Sequence, residues 1–274
     1  MSGCFPLWTT PRVIDETDTY AVLYKPPCLF SAPLSEDPAG TLLGWFAALC
    51  PAVLRAGHNR EGGLLHRLDC ETEGLVLLAK TREAFASLRA QQAVGHFVKE
   101  YSALSAGRTA TPPGFPPPPF TGAALPALPL FIESCFRPWG PGRKAVRPFV
   151  WDPARPLAPG RSRGIARDQG GAYRTELLAA GAPPASRGTG TTRMFTLRIH
   201  RGFRHQIRCH LAWIGEPILN DALYGGLEDR QGGASAGPGV AEASTRPIAL
   251  RARGLCFFDP ATGAPRDYRL PGFD

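Results

Sequence analysis

Asp69 is the residue whose neighbours ask most of its chemistry. Leu64, Leu65 and Leu68 precede it and an apolar run at 75–79 follows, so its carboxylate stands at the edge of a core. A carboxylate there needs a cation or several donors. Two readings fit: a core-edge Asp that caps a turn or pairs with Arg67, or a partly desolvated nucleophile or base. A second constellation is RGFRHQIRCH at 201–210. On a helix, Arg204 and Arg208 share one face with Leu211, while His205 and Cys209 share the neighbouring face. Two guanidiniums at a helix start suit phosphate or carboxylate, and an exposed basic amphipathic helix fits the same pattern. His205 and His210, five apart, fall on different faces and do not make a metal pair. Tyr101, in VKEYSAL, reads as a core or half-buried strand residue, with stacking on a flipped base as the functional alternative.

Other chemistry is not signalled. The chain has no GxxxxGK[ST], no GxGxxG after a strand, no HExxH and no GxSxG. GTGTTR at 188–193 has too few glycines for a phosphate loop and precedes a strand. Seven cysteines lie scattered, odd in number and without CxxC, so neither a disulfide framework nor a zinc cluster is expected. No nucleotide or metal cofactor is expected. The first ten residues lack a basic start followed by an apolar run, and no apolar stretch is long enough to span a bilayer. A soluble, cytoplasmic protein is the expectation.

The elements that must position these residues alternate without a regular βαβ rhythm. Residues 13–25 read as two short strands around a turn, and Thr41 as the cap of a helix carrying Leu42, Leu43, Trp45, Phe46 and Leu49. Asp69 then precedes a buried strand at 75–79, a helix at 81–93 and a strand at 97–104. Beyond these, strands are expected at 130–136 and 172–179, separated by basic loops. A strand follows at 194–200, with Phe195, Leu197 and Ile199 on one face. A helix is expected at 204–214, stopped at Gly215, and the last strands at 248–258. These predict an α+β fold in one domain over 1–274.

Composition bounds the rest. Gly and Pro number 31 and 29 in 274 residues, and 28 of them fall between Gly107 and Gly190. Continuous helices or strands are therefore not expected there. With 43 % hydrophobic and 20 % charged residues, a wholly disordered, collagen-like or coiled-coil chain is excluded. The net charge of +8 is the sum of +12 at 137–208 and −4 elsewhere. A basic patch in a mildly acidic chain suits phosphate, although arginine-rich composition alone would also produce it.

HRLDCETEGLVLLAK at 66–80 resembles the signature of the RluA-type pseudouridine synthases, HRLD, two variable residues, then TSGLLLLAK. YAVLYKPP at 20–27 is similar to that family's opening strand with its Lys-Pro turn, and FVKEYSAL at 97–104 to its tyrosine strand. HQIRCHLAWIGEPILNDALYGG at 205–226 resembles its third motif. The matches run in order from about Val13 to Pro260.

That resemblance implies isomerisation of uridine to pseudouridine within structured RNA, rRNA or tRNA, by a cofactor-free monomer with a mixed, mainly antiparallel sheet and flanking helices. By position, Asp69 would attack the target nucleotide, Tyr101 would stack on the uracil, and Arg208 would pair with Asp69. Arg67 would help to hold the flipped-out nucleotide. His66, Leu68, Arg204, His205, Gln206, Ile207 and Leu211 complete the RNA-binding set. An Arg partner would keep Asp69 ionised despite partial burial. Three positions depart from the pattern: Glu73 replaces Ser, Phe203 and Arg204 stand for Arg and Thr, and Asn220 replaces Gly. No separate N-terminal RNA-binding domain is expected, since the pattern begins by Val13. Substrate choice would then rest with the catalytic domain and its Gly/Pro-rich basic insertions around 107–190 and 226–245. A non-catalytic RNA-binding or RNA-folding protein on the same scaffold is the alternative.

Overall fold

A computed structural model describes residues 6–35, 37–105, 107, 109–120, 125–150, 165–166, 171–183, 192–225 and 247–273. Positions 188–191 of GTGTTR and the whole of the 226–245 insertion lie outside the described residues, as does part of the basic block. The chain divides into two compact units. The first comprises Met1–Ser102, Arg198–His200 and Leu250–Asp274, the second Ala103–Leu197 and Arg201–Ala249.

The first unit holds strands β1 (Arg12–Glu16), β2 (Tyr20–Lys25) and β3 (Glu73–Ala79), helices α1 (Leu42–Ala47), α2 (Val53–Ala56) and α3 (Arg82–Val94), and the start of β4 (Val98–Ser105). In the second are β5 (Leu130–Trp139), β6 (Ala145–Phe149), β7 (Tyr173–Gly181), most of β8 (Arg193–Ile199) and α4 (Gln206–Trp213). The first unit also takes β9 (Leu250–Phe258) and β10 (Pro265–Arg269). Its strand order is β1-β2-β3-β9-β4 with β10 on β9, and the second unit runs β8-β7-β5-β6. β3 and β9 pair in parallel, with Glu73 beside Arg251 and Gly74 beside Ala252. The fold is α+β, with a mixed, mainly antiparallel sheet.

Every residue of β2 and β3 is buried, as their unbroken apolar runs require of central strands. Tyr20, Val22, Leu75, Leu77, Leu88, Phe97, Leu255 and Phe257 form the first core, each contributing about 1.5–3 kcal/mol by leaving water. Thr41 caps α1 as the sequence predicts, accepting from the amide of Gly44 at 3.0 Å, and Thr81, read as the first residue of its helix, instead caps α3 by accepting from the amide of Ala84 at 3.1 Å. Gly95 ends α3 in the left-handed region at φ 82°.

Three expectations are corrected. Leu49 is exposed and lies beyond α1, because Pro51 disfavours helical backbone at Cys50. Within the stretch read as basic loops, β6 pairs antiparallel with β5. The helix expected at 204–214 begins only at Gln206, because His205 takes a left-handed conformation, φ 56°, at its start. Arg204 therefore stands in a turn and shares no helical face with Arg208. All eight residues of α4 are buried, which also removes the exposed amphipathic reading.

Candidate active site

Residues 63–65 run beside β3 and carry the chain into the Asp69 loop. The amide of Ala79 donates to the Gly63 carbonyl at 2.8 Å, and the amide of Leu65 to the Leu77 carbonyl at 3.0 Å. The ladder stops at His66, whose Nε2 accepts the Leu77 amide at 3.2 Å. Leu68 is clamped twice by Ser31, which donates to its carbonyl at 2.9 Å and accepts from its amide at 3.0 Å. The amide of Thr72 closes the turn on the Asp69 carbonyl at 3.1 Å. Asp69, half-buried, thus sits at the tip of a turn tied on both sides.

Lys25, at the end of β2, braces this turn from beneath. Its ammonium donates to the carbonyls of Pro26 at 2.8 Å, Leu29 at 2.7 Å and Cys70 at 3.0 Å. Burial pushes the lysine down to about 8, opposed by the charges of Cys70 and Asp69. Tyr101, 5 % exposed on β4, feels the same carboxylate. Burial first and Asp69 second raise its phenol and keep it protonated. Asp69 and Tyr101 therefore act on each other within the first unit.

The strand after the loop is anchored by Glu73. Its Oε1 accepts Nε of Arg251 at 3.0 Å, and Nη2 of the same guanidinium lies 2.9 Å away in an ion pair. Its Oε2 accepts the Tyr24 hydroxyl and, at 2.9 Å, the Leu7 amide. Next to it, Gly74 has φ 128°, and a Cβ there would meet the Ala252 carbonyl oxygen at 2.3 Å. Only glycine lets β3 approach β9 this closely. Arg67 turns outward to Glu61, 2.8 Å away, with 60 % of its side chain exposed.

In the second unit Arg208 forks onto Asp221, Nε to Oδ2 at 2.7 Å and Nη2 to Oδ1 at 2.9 Å, with both side chains buried. Gln206 donates to the Arg174 carbonyl at 2.9 Å and to Thr175 Oγ1 at 3.1 Å. Ile207 and Leu211 are buried, His205 Nδ1 lies 3.3 Å from the Tyr224 hydroxyl, and Arg204, exposed, donates to the Arg143 and Ala145 carbonyls. Sequence reasoning did not single out Lys25, Asp221 or the Glu73–Arg251 tie. One signal for Lys25 was available: among 31 basic residues only four are lysines.

This arrangement offers a carboxylate at the tip of a braced turn beside a protonated phenol. Among the described residues no cluster of three or more His, Cys, Asp or Glu is placed to hold a metal ion. No helix among them is long and apolar enough to cross a membrane.

Comparison with known proteins gives these residues a context. A protein named ribosomal large subunit pseudouridine synthase D from Vibrio vulnificus is 27 % identical over 259 residues, 94 % of this chain and 66 % of its own length. An uncharacterized RNA pseudouridine synthase of Chloroflexus aurantiacus is 29 % identical over 201 residues, 73 % of this chain and 50 % of that protein. The chain thus spans half to two thirds of the length of these relatives. Two solved human structures share the fold. RNA pseudouridylate synthase domain containing 1 superposes with a TM-score of 0.60 at 17 % identity, covering 96 % of this chain and 84 % of that one. The domain containing 4 protein superposes with 0.56 at 18 %, covering 94 % and 87 %. A family model described as RNA pseudouridylate synthase matches residues 19–213. With most of its length inside that match, and the braced Asp69 turn and the Tyr101 strand within it, the chain belongs to the RluA-type family of RNA pseudouridylate synthases.

Proposed function

We propose that this chain isomerises specific uridines of structured RNA to pseudouridine, with Asp69 as the attacking carboxylate and Tyr101 as the stacking partner of the uracil. The observation that carries the reading is the coupling of Asp69 to Tyr101 at the tip of a turn that Lys25 and Ser31 hold in place. Asp69 bonds transiently to the nucleotide as the bond from the sugar carbon to N1 breaks, the uracil stays in the pocket and turns, and the sugar carbon rejoins it at C5 as the Asp69 carboxylate is released. The proton on C5 leaves and N1 gains one, so atoms and charge balance without a metal or cofactor. A buried ring beside the carboxylate suits retention of the freed base. Extruding that base from its stack costs a few kcal/mol, offset by stacking and phosphate contacts. Arg208 takes the role of the family's arginine, and its fork onto Asp221 fixes the direction of its guanidinium. His66, Arg67, Leu68, Arg204, His205, Gln206, Ile207 and Leu211 contribute the RNA contacts and their packing.

The names of the relatives point to large-subunit rRNA as substrate, with tRNA as the second class. The protein acts as a cytoplasmic monomer. Pseudouridine maps of rRNA and tRNA from cells with and without the gene test this reading. One or more sites should vanish on deletion, return with the wild-type gene and stay absent with Asp69→Asn. Restoration of the map by Asp69→Asn would overturn it. Rescue of a deletion phenotype by that variant, with no change in the map, would instead favour an RNA-folding protein on the same scaffold.

A further inference from the structure

The first unit buries two lysines in opposite circumstances. Lys25 is fully buried, with three carbonyl acceptors and the field of Asp69 to hold its charge. Lys99, 3 % exposed on β4, has no hydrogen bond or ion pair among the described residues, only the face of Phe97 with its ammonium 5.3 Å from the ring centroid. A cation–π contact alone is weak support for a buried ammonium.

An orphaned donor lies beside it. His66 packs against the same Phe97 ring, centroids 5.4 Å apart. Because its Nε2 accepts the Leu77 amide, the neutral ring carries its proton on Nδ1, and Nδ1 is buried without a partner. The charges acting on this corner are all positive: Lys99 on His66, and exposed Arg89 on Lys99. No carboxylate acts on either group. A buried donor without an acceptor is costly, so a corner that sets one beside a lysine suits an anion. Its place on the chain says which. His66 lies three residues before Asp69, and Lys99 stands two before Tyr101, on the same face of β4.

We propose that Lys99 and the Nδ1–H of His66 form a phosphate-binding corner that takes a backbone phosphate of the RNA strand carrying the target uridine. The inference rests on the RNA-modifying reading and adds Lys99 as a binding residue that sets where the flipped nucleotide is held. The lysine's four-carbon stem lets its ammonium turn to meet the phosphate, as a planar guanidinium would not.

Two probes test it. Inorganic phosphate titrated into the full chain should move the nitrogen signals of the His66 ring and the Lys99 ammonium together, and should leave the His66 ring unmoved in Lys99→Met. For binding to an in-vitro transcript of large-subunit rRNA, Lys99→Met should flatten the plot of log affinity against log salt by about 0.7–0.9, the loss of one phosphate contact. Lys99→Arg should recover part of that slope. Since the ammonium is unpaired, Lys99→Met should melt at or above the wild-type temperature. Response to inorganic phosphate with an unchanged RNA slope would show a site for free phosphate and overturn the RNA assignment. Silence of both signals toward phosphate, or a marked fall in melting temperature with the slope intact, would overturn the corner itself. If the corner responds while Asp69→Asn leaves the pseudouridine map unchanged, the binding inference stands and the isomerase reading falls.

Discussion

Glu73 stands where the family pattern has Ser, and the fold answers it with Arg251, a buried cation on the neighbouring parallel strand. Both charges are desolvated, so removing one partner strands the other. We expect Glu73→Ser alone to lower stability by about 3–5 kcal/mol in chemical denaturation, and Glu73→Ser with Arg251→Met to recover much of that loss. The other departures also have local reasons. Asn220 occupies φ 64°, a left-handed position that Asn tolerates where Gly is usual. Phe203 stacks on Phe136 at 5.0 Å and 8°, replacing a polar group by packing in the core of the second unit, with Ala145, Val146, Cys209 and Tyr224. Asp69 was legible from its core-edge context, but the tie between Glu73 and Arg251 was not, because 178 positions separate the pair. Lys25 and Lys99 left a compositional trace: they are two of only four lysines in an arginine-rich chain.

At the scale of elements, the Asp69 turn depends on hydrogen bonds rather than on its own packing. Ser31→Ala removes both bonds to Leu68 and leaves a buried amide and carbonyl with one partner fewer. The expected cost is about 1–3 kcal/mol, felt first as faster amide exchange at residues 68–72 with the exchange of β3 unchanged. In the second unit, α4 carries His210, fully buried between Ser134, 3.0 Å from Nε2, and Thr175, 2.9 Å from Nδ1. Burial lowers its pKa to about 3. The unfolded chain therefore binds this proton more readily, so the stability lost on acidification begins near pH 6.5 and grows toward pH 3. The loss is on the order of 4 kcal/mol by pH 3. His210→Gln should flatten the dependence between pH 6.5 and 4 when unfolding is followed by denaturant titration.

Elements with one clear pattern were legible: β3 through its apolar run, β8 through alternation, and α3, read at 81–93, to within one residue at each end. What escaped had physical disguises. Pro148 and the basic residues around it hide β6, which lies at the end of its strand order, where proline is tolerated. The start of α4 was misjudged because a left-handed His205 leaves no sequence mark.

For the molecule as a whole, the +12 segment sets the expectation for RNA binding. If it engages six or more phosphates, affinity for structured RNA should fall by about a thousandfold between 50 and 200 mM salt. The same fall is expected for Asp69→Asn, whose surface charge is little altered, so binding and chemistry can be read separately. Chemistry has its own label. Rejoining the uracil through C5 expels the hydrogen that C5 carries, and a transcript made with uridine tritiated at C5 reports each turnover as tritium in water. With large-subunit rRNA so labelled, the purified wild-type chain should release tritium in step with pseudouridine formation, and Asp69→Asn should be slower by at least about a thousandfold. Tritium release by Asp69→Asn at the wild-type rate would contradict the assignment of Asp69 as the nucleophile.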